Sequence, residues 1–167
     1  MVEQFVYTEK VGSSSLSSRT TTFHVDILNH MNFHGVKIAI LVDGKLIVFL
    51  RDDKPGLFNA NMWDLPGGGR ENNESPIECV LREVYEEFEL KLTADDIIWE
   101  KAFPAQKDPN QTAYFMVAEV ESVRTKNLNL NEGQKWIFMS VEEFLNKDDV
   151  IPALKERFEN FLDSKKF

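Results

Sequence analysis

The sequence predicts an α/β protein with one folded domain over residues 36–167. Three features predict it. Two β-branched and leucine-rich runs flank Asp43-Gly44, a strong hairpin signal. An amphipathic stretch opens with a capping box at Ser75. Further strand and helix signals follow toward the C-terminus, without internal repeats. At 167 residues the length is that of one domain, enough to bury a core without disulfide or metal staples.

Residues 1–35 are read as an N-terminal arm or extension, with a Ser/Thr-rich loop at Val11–Thr22. The hairpin strands are expected near 36–42 and 45–51. A loop from Asp52 to Met62 contains Pro55 and Gly56, and Trp63-Asp64-Leu65 reads as a short strand before a glycine run. The first helix has Ser75 as cap, Pro76 in its first turn and Glu78 closing the box. Ile77, Val80, Leu81, Val84 and Phe88 follow its helical period. Strands are expected at 112–120 and 135–139. A short helix begins at the second capping signature, 140–143. A last helix over 151–162 puts Ile151, Leu154, Phe158, Phe161 and Leu162 on one face.

Composition excludes several classes. The net charge of −9 argues against a nucleic-acid partner, which needs a basic footprint. An acidic chain can still take a polyphosphate if cations bridge the two. The one cysteine, Cys79, forms no internal disulfide, fits a reducing compartment and reads as structural. MVEQFVYTEK lacks the pattern of a signal peptide, and no apolar run approaches the ~20 residues of a membrane span. A cytoplasmic protein without membrane contact is expected.

The first helix crowds Glu83, Glu86 and Glu87 onto one side, with the apolar stripe beside them. Such like-charge pairs cost a helix roughly 0.2–0.5 kcal/mol each. Arg82 offsets part of this as the i, i+4 partner of Glu86. A solvated acidic face is one reading. The other follows from the preceding Pro66-Gly67-Gly68-Gly69 loop and from Glu74. Loop carbonyls and helix carboxylates together make an all-oxygen site suited to a hard divalent cation.

These residues fit the pattern G-x5-E-x7-R-E-U-x-E-E-x-G-U, in which U is a bulky aliphatic residue. The chain reads Gly68, Glu74, Arg82-Glu83-Val84, Glu86-Glu87 and Leu90, with Glu89 at the late glycine. The stretch resembles the box of the Nudix hydrolases. ANMWDLPGG and NEGQKWIFMSVEEFL are similar to flanking segments of MutT-like members, so the resemblance covers Val36 to Leu162. It implies an α/β/α sandwich around a central mixed sheet.

The resemblance also implies roles. Glu83, Glu86 and Glu87 become metal-binding and water-activating carboxylates, with the Gly67 carbonyl and Glu132 as further ligands. Glu74 and Arg82 orient the loop and helix by ion pairing, Arg51 reaches substrate phosphate, and Phe103 lies near a base pocket. His24, His30 and His34 are spaced irregularly outside the box and are not read as ligands.

The implied cofactor is Mg2+, with Mn2+ as substitute, and the implied partner is a small nucleotide bound by a monomer or homodimer. The implied reaction is hydrolysis of a nucleoside triphosphate to the monophosphate and pyrophosphate. An ADP-ribose or nucleotide-sugar hydrolase is the alternative, and a non-catalytic nucleotide sensor is the alternative of another class. Leu154 aligns where MutT-like enzymes that read oxidised purines carry an amide, which argues against that specificity. Pro104 lies close to, but not at, the proline spacing of ADP-ribose hydrolases.

Overall fold

The computed structural model describes residues 32–166, so residues 1–31 of the arm reading, with the Val11–Thr22 loop, His24 and His30, lie outside the described residues, whereas its last residues, 33–35, are part of the first strand. Six strands form one mixed sheet: β1 Phe33–Val42, β2 Lys45–Leu50, β3 Trp63–Asp64, β4 Ile97–Pro104, β5 Thr112–Val120 and β6 Lys135–Ser140. The helices are α1 Pro76–Phe88, α2 Val141–Asn146 and α3 Pro152–Ser164. β1 runs parallel to β5 over its length, β4 pairs antiparallel with β5, and β6 pairs antiparallel with β2.

Alternation along the strands loads both faces. Ile38, Ile40, Val42, Ile47 and Phe49 point into one core with Val80, Val84 and Phe88 of α1. Ala39, Leu46 and Val48 point into the other, with Phe144 of α2 and Leu154, Phe158 and Phe161 of α3. Strands buried on both faces read as continuous apolar runs, as β1 and β2 do. The architecture is the expected α/β/α sandwich. α1 begins as anticipated: the Ser75 hydroxyl accepts from the Glu78 amide, and the Glu78 carboxylate accepts from the Ser75 amide.

Two features differ from the sequence reading. β4 was not anticipated, because Glu100 and Lys101 interrupt its apolar pattern and most of its side chains are exposed; it is an edge strand held by β5 alone. The β1–β2 hairpin is also shorter than expected. Only Leu41↔Leu46 and Val42↔Lys45 pair before the strands diverge. The gap is filled by β3, which pairs with Phe49 and Leu50, and by the glycine run, which lies along β1.

The Asp52–Met62 loop leaves this fork through a closed base. The Arg51 amide donates to the Met62 carbonyl (3.0 Å) and the Asn61 amide to the Asp52 carbonyl (3.2 Å). Gln134 Nε2 donates to the Arg51 carbonyl and to Asn61 Oδ1. On the other side, the Trp63 amide donates to the Asp149 carbonyl and the Ile151 amide to the Trp63 carbonyl, which seats the start of α3 beside β3.

Candidate active site

The glycine run is stitched to β1. The Val36 amide donates to the Gly68 carbonyl and the Ile38 amide to the Pro66 carbonyl, both at 2.9 Å. The approach is close because Gly35 has no side chain, and a Cβ there would collide with the Gly68 carbonyl. Gly67, at φ +122, turns its own amide the other way, toward α1.

That amide donates to Glu87 Oε2 at 2.9 Å. Glu87 is buried, 6% exposed. Burial pushes its pKa up from 4.5 to about 8, although the Lys37 ammonium and the Gly67 amide both favour the charged form. Glu83 packs directly under Gly68, where a Cβ would lie 2.5 Å from its Oε2. Burial raises the Glu83 pKa as well, against the pull of Arg82. Glu86 is more exposed.

Arg82 ties the face together. Its Nη2 and Nε grip Glu74 at 2.7 and 3.1 Å, and Nη2 also donates to the Gly69 carbonyl. Its Nη1 donates to Glu83 at 2.9 Å and to Glu86 at 3.0 Å. The guanidinium holds the Glu74 carboxyl down to about 2. Glu74 and Arg82 are thus joined by an ion pair that also reaches the glycine run. Cys79 is buried behind this clamp, and burial pushes its thiol well up, away from the reactive thiolate.

Among the described residues, no three His, Cys, Asp or Glu side chains converge closely enough to hold an ion. The donor chemistry still suits a hard divalent cation, since carboxylate and carbonyl oxygens are its preferred ligands. Arg82 supplies the positive charge between Glu83 and Glu86. Gly67, Gly68, Glu83 and Glu87 meet at the loop–helix junction, and Glu74 and Glu86 join them through Arg82. Glu132 stands apart, in a small depression with Arg51, Asp52 and Gly133. Its neighbour Asn131 bonds the Glu86 and Glu87 carbonyls, so its loop is anchored to the end of α1.

Beside the glycine run lies a cavity of about 240 Å³. Lys37, Arg51, Lys107 and Arg157 line it, with Asp64 as an acidic neighbour of the first two. Asp64, 1% exposed, accepts from Lys37 Nζ at 2.9 Å and from Arg51 Nη1 at 2.7 Å. His34 and Leu154 also line the cavity, and Phe58 stands half-exposed among its lining residues. Phe103 is set behind Arg157, edge-on to Phe115, and does not line the cavity.

Sequence reasoning missed Lys37, Asp64, Phe58, Lys107 and Arg157. The signal for Asp64 was its place in the short strand three residues before Gly67. The others are brought in by tertiary structure.

A family model described as NUDIX domain matches residues 32–161. A MutT-like protein of Streptomyces ambofaciens is 36% identical over 67 residues, 38% of this chain and 40% of that protein. The chain thus matches less than half the length of this relative. The crystal structure of the MutT protein from Methanosarcina mazei Go1 superposes with TM-score 0.65 at 25% identity, covering 81% of this chain and 97% of that one. A bifunctional NMN adenylyltransferase/ADP ribose pyrophosphatase from Francisella tularensis, complexed with AMP and a Mn ion, superposes with TM-score 0.61 at 18% identity. That likeness covers 89% of this chain and 48% of that one. With the family model spanning most of the sequence and the box residues gathered at one loop–helix junction, the chain belongs to the Nudix hydrolase family.

Proposed function

We propose that this chain is a divalent-metal-dependent pyrophosphohydrolase. It cleaves a diphosphate bond in a nucleoside diphosphate-linked substrate, first of all a (deoxy)nucleoside triphosphate to the monophosphate and pyrophosphate. One observation carries the reading. In a chain of net charge −9, a cavity lined by four cationic side chains opens beside a carboxylate-bearing helix face. The cavity side attracts phosphate and the helix side attracts cations.

Glu83, Glu86, Glu87 and the Gly67 carbonyl would hold the cation, Mg2+ or in its place Mn2+, and Glu132 would join them only by a shift of its loop, since it stands apart. Bound there, the cation would neutralise the diphosphate and polarise its bridging oxygen. Lys37 and Arg51, fixed by Asp64, orient substrate phosphate. One carboxylate of the α1 face orients the attacking water and takes its proton.

Leu154 favours a second reading, because this cavity-lining side chain offers no hydrogen bond to a base edge. Recognition would then rest on the non-base part of the substrate, as in an ADP-ribose or nucleotide-sugar hydrolase. Retention of all the box carboxylates supports catalysis over a sensing role. The test is a nucleotide panel assayed for phosphate and pyrophosphate release. Hydrolysis should vanish in excess chelator and return with Mg2+ or Mn2+. Full activity in chelator would overturn the proposal, and binding without turnover of any nucleotide would favour the sensor.

A further inference from the structure

The four cationic side chains that line the cavity differ in how they are partnered. Lys37 and Arg51 share the buried carboxylate of Asp64, so their charge is already balanced in part. Arg157 and Lys107 line the same cavity without such a carboxylate. Arg157 reaches in from α3 and is 6% exposed, yet among the described residues no carboxylate lies within ion-pair distance of it or of Lys107. Its Nη2 donates to the Pro104 carbonyl at 2.8 Å, and its guanidinium lies over the Phe103 ring at 5.3 Å. One carbonyl and one ring fix the group in place without neutralising it. Lys107 comes from the loop between β4 and β5 and lies over the Phe58 ring at 5.6 Å.

A buried, uncompensated cation is costly. The cost falls when an anion enters, and a planar guanidinium pairs best with a phosphate or a carboxylate. Burial lowers the Arg157 pKa, and the attraction of the Glu156 carboxylate offsets this only in part.

We propose that Arg157, assisted by Lys107, is a second anion subsite, separate from the Lys37–Arg51–Asp64 cluster. Within the diphosphate-linked class it selects substrates whose non-reacting part carries a further phosphomonoester or carboxylate. The inference rests on the hydrolase reading above, which supplies the diphosphate end of the same cavity.

Matched substrates test it. NADPH against NADH, and coenzyme A against dephospho-coenzyme A, differ by one phosphomonoester. UDP-glucuronate against UDP-glucose differs by one carboxylate. The intact chain with Mg2+ should prefer the anionic member of at least one pair by about 10-fold or more in kcat/KM. The pair that shows the preference identifies phosphate or carboxylate as the ligand. In Arg157→Gln the ratio should collapse toward one, and in Lys107→Ala it should fall partway. If Arg157→Gln does not fold, Arg157→Lys and the exposed Lys107→Ala decide, and a ratio unmoved by both overturns the subsite. Equal cleavage of both members of every pair overturns it while leaving the hydrolase reading standing. If no pair is cleaved, the hydrolase reading stands or falls on the nucleoside triphosphates of the panel above. Calorimetric binding of NADPH and NADH then decides the subsite, and equal affinities overturn it.

Discussion

The Gly67 amide donates to Glu87 across the junction between the glycine run and α1, at 2.9 Å. This bond ties a buried carboxyl, whose pKa burial raises, to the loop that β1 holds on its other side.

Glu87→Gln preserves shape and removes the charge. Turnover should fall roughly 100-fold or more, the scale seen when a key electrostatic group is lost. Stability should move the other way with pH. The Glu87 pKa is about 8 in the fold against an ordinary 4.5, so below about pH 4.5 both folded and unfolded states hold the proton and no penalty exists. As pH rises toward 8 the unfolded chain releases the proton first, and the wild type loses stability. Thermal melts in chelator should show Glu87→Gln gaining on the wild type across that window. A pH-independent difference would mean that Glu87 is not a buried titrating acid.

Gly68→Ala places a methyl group 2.5 Å from Glu83 Oε2. The carboxylate must move, while the strand-like bonds of the loop need not. Displacement of a catalytic group by an ångström costs on the order of 100-fold in rate. We expect such a loss in kcat with an unaltered far-UV circular dichroism spectrum. Wild-type kcat in this variant would remove Glu83 from the site.

Glu89 stands where the box has glycine, and it adopts a left-handed conformation with φ 53 at the end of α1. A side chain there costs ~1–2 kcal/mol, and a negative charge at a helix C-terminus adds to it. Against this stands one exposed bond from Asn129 Nδ2 to Glu89 Oε1 at 3.2 Å. Glu89→Gly should therefore stabilise the fold by about 1 kcal/mol, or ~2–4 °C in Tm. A lower Tm would show that the Asn129 contact outweighs the backbone strain.

Leu154 lines the cavity from α3. An apolar contact discriminates by about 10–200-fold per small group, whereas a hydrogen-bonding site reaches about 10⁴-fold or more. The ratio of kcat/KM for 8-oxo-dGTP and dGTP should stay within the lower range, and Leu154→Asn should shift it without altering metal dependence. A wild-type ratio in the thousands would require another residue to read the base.

The two helix starts and the box could be read from the sequence because their signals are local. Ser75 and Glu78 mark α1 within four residues, and the glutamate spacing is that of a single helix. Features made by long-range pairing could not be read in this way. Asp64 gains its meaning only when β1 brings Lys37 beside it and β2 brings Arg51. Arg157 looks like an ordinary charged position until β4 places Pro104 and Phe103 against it. β4 itself escaped notice because an edge strand with an outward polar face lacks the apolar run of a central one. The divergence of β1 from β2 was hidden for a related reason: a turn signal fixes where a hairpin begins, not how far its strands stay paired.

The closed base of the Asp52–Met62 loop makes the cavity rim a replaceable part. Arg51, Asp52, Asn61, Met62 and Gln134 seal the neck, while Leu57, Phe58 and Asn59 protrude beyond it to line the cavity. Doubling the length of such a loop costs only about 0.6 kcal/mol. Insertions at the tip would reshape the cavity entrance while leaving the sheet and the carboxylate face untouched. Descendants of this scaffold can therefore exchange one set of substrates for another by lengthening or shortening a single sealed loop, and the same neck offers a grafting point for engineered specificity.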